Sequence, residues 1–123
     1  MANPNIISVT TLTGNTTYLA PANTSAAVLL SNAAASNTLY KVCMIQATNV
    51  SASTANTTVS INNAAAGAGT AYRIAYQISV PANSSLIVID KSTAFYLPEN
   101  TSIVVTSGTG SAIEYVCAYD SIS

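Results

Sequence analysis

The feature that most constrains this chain is the regular spacing of its short β-branched segments. Runs rich in Val, Ile and Thr recur about every ten residues, and clusters of Asn, Gly, Pro and Ser separate them. No segment sustains the 3.6-residue periodicity of an amphipathic helix. This rhythm is typical of antiparallel sheets, so we predict an all-β fold with no helix longer than about two turns.

The strand-like segments cover most of the chain. They are Asn5–Leu12, Thr16–Ala20, Ala26–Ser31, Leu39–Val50, Thr57–Asn62, Ala71–Val80, Leu86–Asp90, Ala94–Leu97, Thr101–Ser107 and Ala112–Tyr119. We expect them to form eight or nine short strands, a number that fits an antiparallel two-sheet sandwich with Greek-key or jelly-roll-like connections. The prediction is one sandwich domain over residues 1–123, with a short amino-terminal arm at residues 1–5.

Alternation is cleanest in Ala71–Val80, where tyrosines and isoleucines occupy every second position. It predicts that Tyr72 and Tyr76 face the core, and the same argument applies to Tyr115 in the last strand. Phe95, the one phenylalanine, lies in a short apolar segment and is predicted to be buried. The remaining tyrosines lie near strand ends, where a contact role is as reasonable as packing: Tyr18, Tyr40, Tyr96 and Tyr119.

Two loops carry specific expectations. Thr13-Gly14-Asn15 has turn composition and is predicted to end the first strand. The segment Ala64–Thr70 combines alanines with two glycines, which indicates a loop that is mobile or ordered by a partner. We therefore take this loop and the amino-terminal arm as candidate partner-binding segments; their residues are Ala2, Asn3, Pro4, Asn5, Ala64, Ala65, Ala66, Gly67, Ala68, Gly69 and Thr70.

Charge is scarce, and this narrows the classes of function. The chain has three Lys or Arg residues, four Asp or Glu residues and no histidine. Histidine is the usual general base and the commonest metal ligand, so we expect no enzyme, no metal site and no cofactor. The basic patch that nucleic-acid binding needs is missing, and the apolar runs are shorter than a membrane-spanning helix. Neither a nucleic acid nor a membrane is an expected partner.

The cysteines and the amino terminus bear on the compartment. Cys43 and Cys117 lie in apolar strand-like segments, without a CxxC motif, and are predicted to be buried reduced thiols. The first five residues have neither a basic region nor an apolar core of a signal peptide. We expect a protein made in a cytoplasm, which leaves it only within a larger particle.

Four segments of the chain carry a resemblance to a known family. They are Asn3–Val9 (NPNIISV), Ser79–Ile89 (SVPANSSLIVI), Phe95–Ile103 (FYLPENTSI) and Glu114–Ser123 (EYVCAYDSIS). With these segments the chain resembles small virion structural proteins of tailed bacteriophages, especially phages of cyanobacteria and other marine bacteria.

The resemblance implies a β-sandwich present in many copies on a virion, assembled in the host cytoplasm. The function it implies is that of a capsid decoration or cement protein, which binds the shell of major capsid protein and stabilises it. Self-association is also expected, with a trimer favoured. Two alternatives remain open: a tail or neck component, and a fibre or baseplate module that binds a host glycan.

Overall fold

The computed structural model of the chain describes residues 8–123. Both the arm Ala2–Asn5 and the first residues of the segment Asn5–Leu12 lie outside the described part. Nine strands and two short 3-10 turns form the described fold. The strands are β1 (Leu12–Leu19), β2 (Ala27–Asn32), β3 (Leu39–Asn49), β4 (Ala55–Asn62), β5 (Ala71–Val80), β6 (Ser85–Ile89), β7 (Phe95–Leu97), β8 (Thr101–Ser107) and β9 (Ile113–Ile122). The turns are Ala65–Gly67 and Lys91–Thr93.

The strands form two antiparallel sheets with jelly-roll connectivity. Sheet A has the order β1-β9-β3-β6, and β7 pairs with the same β3. Sheet B has the order β2-β8-β4-β5. The first strand thus pairs with the last, β1 to β4 alternate between the sheets, and β6 and β7 share one strand position. The predicted two-sheet sandwich is confirmed.

The core lies between the inner faces of the two sheets. Ile45 of β3 and Ile113 of β9 face Val59 of β4 and Val105 of β8, and all four side chains are fully buried. Tyr115 is buried as predicted, and its hydroxyl links the sheets through hydrogen bonds to the Thr57 hydroxyl and the Thr106 carbonyl. Phe95 packs against this core but is only half-buried, because it lies in the three-residue β7 at the end of sheet A.

Three buried asparagines end three successive strands and hold the loops that follow. Asn32 closes β2, Asn49 closes β3 and Asn62 closes β4. In each case the side-chain amide donates to two carbonyl oxygens, and the side-chain oxygen accepts a serine hydroxyl. Because a buried amide is costly unless its hydrogen bonds are made, each asparagine fixes the path of the next loop.

The predicted turn at Thr13-Gly14-Asn15 is wrong. These residues lie inside β1, which pairs with β9 without a break from Leu12 to Leu19. Gly14 stands opposite Asp120, and a Cβ there would meet only the Asp120 carboxylate, at 3.7 Å. The ladder offered by β9 therefore outweighs the local turn preference, and the segment predicted as Thr16–Ala20 is the second half of the same strand.

Candidate protein-contact surface

The loop Ala64–Thr70 lies flat against the outer face of sheet B. Ser102 accepts a hydrogen bond from the Gly67 amide (3.0 Å) and donates one to the Ala64 carbonyl (2.8 Å). Ser31 accepts from the Ala66 amide, at 2.8 Å. Asn62 donates to the carbonyls of Gly67 and Ala68 from its buried amide. The domain's own side chains order the loop, so the expectation of a mobile or partner-ordered segment is wrong.

Glycine is required where the loop meets the sheet. Gly67 has φ of +76°, and a Cβ on it would lie 3.0 Å from a methyl of Val28. Gly69 has the same φ, and a Cβ there would overlap the Asn63 side chain. Both residues adopt a conformation that L side chains rarely take. This close approach buries Ser60, Asn62 and Ser102, which would otherwise form the polar outer face of the sheet.

The outward side of this loop is neutral and made of small residues. We call its exposed part the loop surface; it consists of Ala66, Ala68, Gly69 and Thr70. No charged side chain occurs between Ala64 and Thr70. A partner docking here would order little of the loop, because it is already fixed.

The loop runs directly into β5, one of the two edge strands of sheet B. Four large side chains of β5 are exposed, and we call them the β5 strip; they are Tyr72 (61% exposed), Ile74 (39%), Tyr76 (58%) and Ile78 (41%). The Arg73 guanidinium lies 5.4 Å from the centre of the Tyr76 ring, within cation–π range.

The predicted burial of Tyr72 and Tyr76 is therefore wrong. Tyr72 pairs with Ile61 and Ile78 pairs with Thr57, both inward-facing positions, so these two side chains keep the inward phase that the alternation predicts. The register with β4 shifts twice along β5, and Gln77 has φ of +49°. Between the two shifts Ala75 pairs with the buried Val59 and packs against the core, so its neighbours Ile74 and Tyr76 leave the inward phase. Tyr72 and Ile78 keep that phase but are exposed because β5 lies at an edge of the sheet.

The other tyrosines divide between packing and exposure. Tyr40 and Tyr119 pack against the core, with ring centres 4.9 Å apart, and burial raises the pKa of Tyr119. Tyr96 is exposed, and Tyr18 is the most exposed tyrosine, at 77%.

A groove of about 420 Å³ lies beside Tyr18, between β1 and β9. Of its lining groups, the side chains of Tyr18 and Glu114 are polar and exposed, whereas the Tyr115 hydroxyl is engaged inside the core. Leu19, Ala20 and Val116 complete the lining. One ring and one carboxylate are a sparse set of polar groups for a ligand site, so we assign none.

The four acids occupy separate structural positions. Asp90 caps the turn Lys91–Thr93, and hydrogen bonds from Ser92 lower the pKa of its carboxyl. The Glu99 carboxylate accepts a hydrogen bond from the backbone N–H of Asn37. Glu114 is exposed on β9, and Asp120 pairs across the strands with Lys41. Over residues 8–123 no three or more His, Cys, Asp or Glu side chains group as metal ligands would.

Both cysteines are free thiols on neighbouring strands. Cys117 is buried, and this burial, with a smaller effect of Cys43, raises the pKa of its thiol to about 12. Cys43 is only half-buried, contrary to prediction, because the register of β3 with β9 skips it between Val42 and Met44.

No model of a known protein family matches this chain, and no curated protein matches it in sequence. Among the described residues there is no helix that is long and apolar enough to cross a membrane. Two exposed features of the described residues, the loop surface and the β5 strip, are available for contact with a partner.

Proposed function

We propose that this protein is a non-enzymatic virion structural protein, and specifically a capsid decoration or cement protein of a tailed bacteriophage. It binds the shell of major capsid protein and stabilises it, in many copies, on a particle assembled in the host cytoplasm. The observation that carries the proposal is the loop surface: a neutral, preordered patch of small residues on a jelly-roll sandwich that has very few charged side chains.

The physical argument concerns the cost of docking. Hydrogen bonds with Ser31, Asn62 and Ser102 already hold the backbone of the loop, so binding a shell there loses little conformational entropy. Small side chains at Ala66, Ala68 and Gly69 allow a partner's backbone to approach closely. The arm Ala2–Asn5, outside the described residues, remains the second proposed contact.

Neutral contacts make docking insensitive to salt, because the loop surface has no charge to be screened. We expect the affinity for emptied, expanded capsids to change less than about tenfold between 0.1 and 1 M sodium chloride. Co-sedimentation of purified protein with capsids measures this. A steep fall in binding with salt would rule out the neutral-contact mechanism.

A matched pair of variants tests whether the loop surface makes the contact. Ala68→Lys places a charge on it, whereas Ala52→Lys places the same charge on the exposed β3–β4 loop. We expect the first variant to lose capsid binding and the second to retain it. Equal binding by both would remove the loop surface from the proposal.

Electron cryomicroscopy of purified particles tests the assignment itself. We expect the sandwich on the outer surface of the shell, with residues 64–70 against the major capsid protein. Finding the chain in the tail, neck or baseplate would replace the decoration function with one of those alternatives, and finding it in no particle would overturn the virion function altogether.

A further inference from the structure

The exposed edge of β5 has a two-fold pattern. Counted outward from Ala75, Ile74 is matched by Tyr76, Arg73 by Gln77 and Tyr72 by Ile78. Reversing the strand about Ala75 therefore brings each tyrosine to an isoleucine. Aromatic side chains opposite β-branched ones are among the favourable cross-strand pairs of antiparallel sheets.

We propose that two copies of this chain associate through β5, antiparallel, about a two-fold axis at Ala75. Tyr72 of one copy then lies against Ile78 of the other, and Ile74 lies against Tyr76. A two-fold interface uses the same patch on both copies, so the patch has to be complementary to itself. The β5 strip meets that condition by its sequence.

Charge is compatible with this register and excludes a register centred on Arg73. Arg73 is the one charged residue of β5, and the proposed axis places it opposite the neutral Gln77 of the second copy. A register centred on Arg73 would bring two guanidinium groups together. The stacking of Arg73 over Tyr76 keeps that guanidinium on its own strand, where it covers part of the ring.

The irregular backbone of β5 limits how the two copies can pair. Both register shifts flank the proposed axis, at Ile74 and between Ala75 and Ile78, and they interrupt the regular hydrogen-bonding edge there, so the contact rests on the four side chains of the β5 strip and not on a long continuous ladder. Among the other edge strands, β1 is mostly Thr, Gly and Asn between Leu12 and Leu19, and β2, β6 and β7 each expose a single large apolar side chain, so none of them has the row of four found on β5. A trimer would need two different complementary patches, so the β5 strip favours a dimer over the trimer expected from the resemblance.

The contact is small. A buried aromatic side chain covers about 150–250 Å², so four roughly half-exposed side chains offer about 300–400 Å² per copy, against about 800 Å² in a standard interface. We expect a weak dimer in solution, with a dissociation constant on the order of 0.1 mM. Copies held side by side on a surface would have a high effective concentration and associate far more completely.

Sedimentation equilibrium from about 10 µM to about 1 mM tests the proposal on the isolated protein, independently of capsid binding. We expect a monomer–dimer equilibrium for the unaltered chain. Tyr76→Lys is expected to weaken it at least tenfold, whereas Tyr18→Lys, on the exposed strand β1 of the other sheet, leaves it unchanged. A monomer at all concentrations, a trimer, or equal weakening by both variants would overturn the proposal.

A charge change at Gln77 tests the register and keeps both tyrosines. Gln77→Glu faces Arg73 of the second copy and is expected to tighten the dimer severalfold at low salt, whereas Gln77→Lys is expected to weaken it. The difference between the two variants should shrink in 1 M salt, where charges are screened within about 3 Å. If both changes act in the same direction, or neither acts, the axis is not at Ala75.

Discussion

At the scale of single residues, the asparagines that end β2, β3 and β4 stabilise the fold through buried hydrogen bonds to the loops that follow them. Asn49 is fully buried, donates to the carbonyls of Ser53 (2.8 Å) and Val80 (2.9 Å), and accepts from the Ser51 amide and hydroxyl. These bonds join the end of β3 to the loop after it and to the end of β5. A chain with only three basic and four acidic residues can position its loops in this way.

We expect Asn49→Ala to lower the free energy of unfolding by about 2–4 kcal/mol, because several buried groups lose their partners at once. Urea denaturation measures the change. The matched control is Asn15→Ala on the exposed part of β1, expected to stay within about 0.5 kcal/mol. A loss below about 1 kcal/mol at Asn49 would mean that water replaces these bonds easily.

At the scale of elements, the connection between β4 and β5 covers the outer face of sheet B and is hydrogen-bonded to it. Ser102 in β8 contacts the loop through two hydrogen bonds, and its side chain is fully buried beneath that loop. The loop therefore protects the outer face of β8 as a strand would, although it has no ladder of its own.

We expect Ser102→Ala to loosen the attachment of the loop Ala64–Thr70 to the outer face of β8. The free energy of unfolding should fall by about 1–3 kcal/mol, since the Gly67 amide and the Ala64 carbonyl both lose a partner. Amide hydrogen exchange at Gly67 should accelerate more than exchange in β3. Ser25→Ala, in the exposed β1–β2 loop, provides the control and should leave both quantities unchanged. Unaltered exchange at Gly67 would show that Asn62 and Ser31 hold the loop without Ser102.

The sequence predicts an element well when the interactions that determine it lie between residues close together in the chain. Strand β8 begins and ends at the predicted residues, Thr101 and Ser107, because β-branched residues fill it and turns bound it. The predicted bounds of β1 are wrong because its pairing with β9, about a hundred residues away, outweighs the local turn preference at Gly14.

The same distinction between local and long-range interactions explains which features of the loop surface and of the β5 strip the sequence predicts. Alternation in β5 predicts one apolar face, but the two register shifts against β4 turn Ala75 toward the core, and edge position depends on the order β2-β8-β4-β5; no local pattern reveals either. The anchoring of Ala64–Thr70 needs Ser31 and Ser102, which lie more than thirty residues away. The composition of the loop therefore indicated flexibility that the tertiary contacts remove.

At the scale of the whole molecule, the small number of charged side chains makes the stability and packing of the sandwich insensitive to ionic strength. The three basic and four acidic residues are distributed over both sheets and their turns. A surface of this kind allows many copies to pack closely without strong repulsion. It also leaves few groups whose ionisation can change the stability of the fold.

We expect a stability profile that is flat from about pH 5 to 8, because the chain has no histidine to titrate there. On the acid side, hydrogen bonds from Ser92 lower the pKa of Asp90 below 3.8, so its contribution is present above that value and is lost as pH falls through the lowered pKa. On the alkaline side, burial raises the pKa of Cys117 from 9.0 to about 12. Its contribution is therefore complete below pH 9 and is lost progressively between pH 9 and about 12, because the unfolded chain releases the proton first.

Urea midpoints measured at intervals from pH 4 to 11 would trace this profile. Cys117→Ala should make the alkaline decline shallower, even though it lowers stability at neutral pH. Cys43→Ala should leave most of the decline in place, because burial, rather than the neighbouring Cys43, is the larger cause of the raised pKa of Cys117. Tyr115 contributes in the same direction from about pH 10, since burial raises the pKa of its hydroxyl too. A marked change in stability between pH 6 and 7, or an alkaline decline that Cys117→Ala leaves untouched, would contradict this account, because no described group with a shifted pKa would then explain the titration.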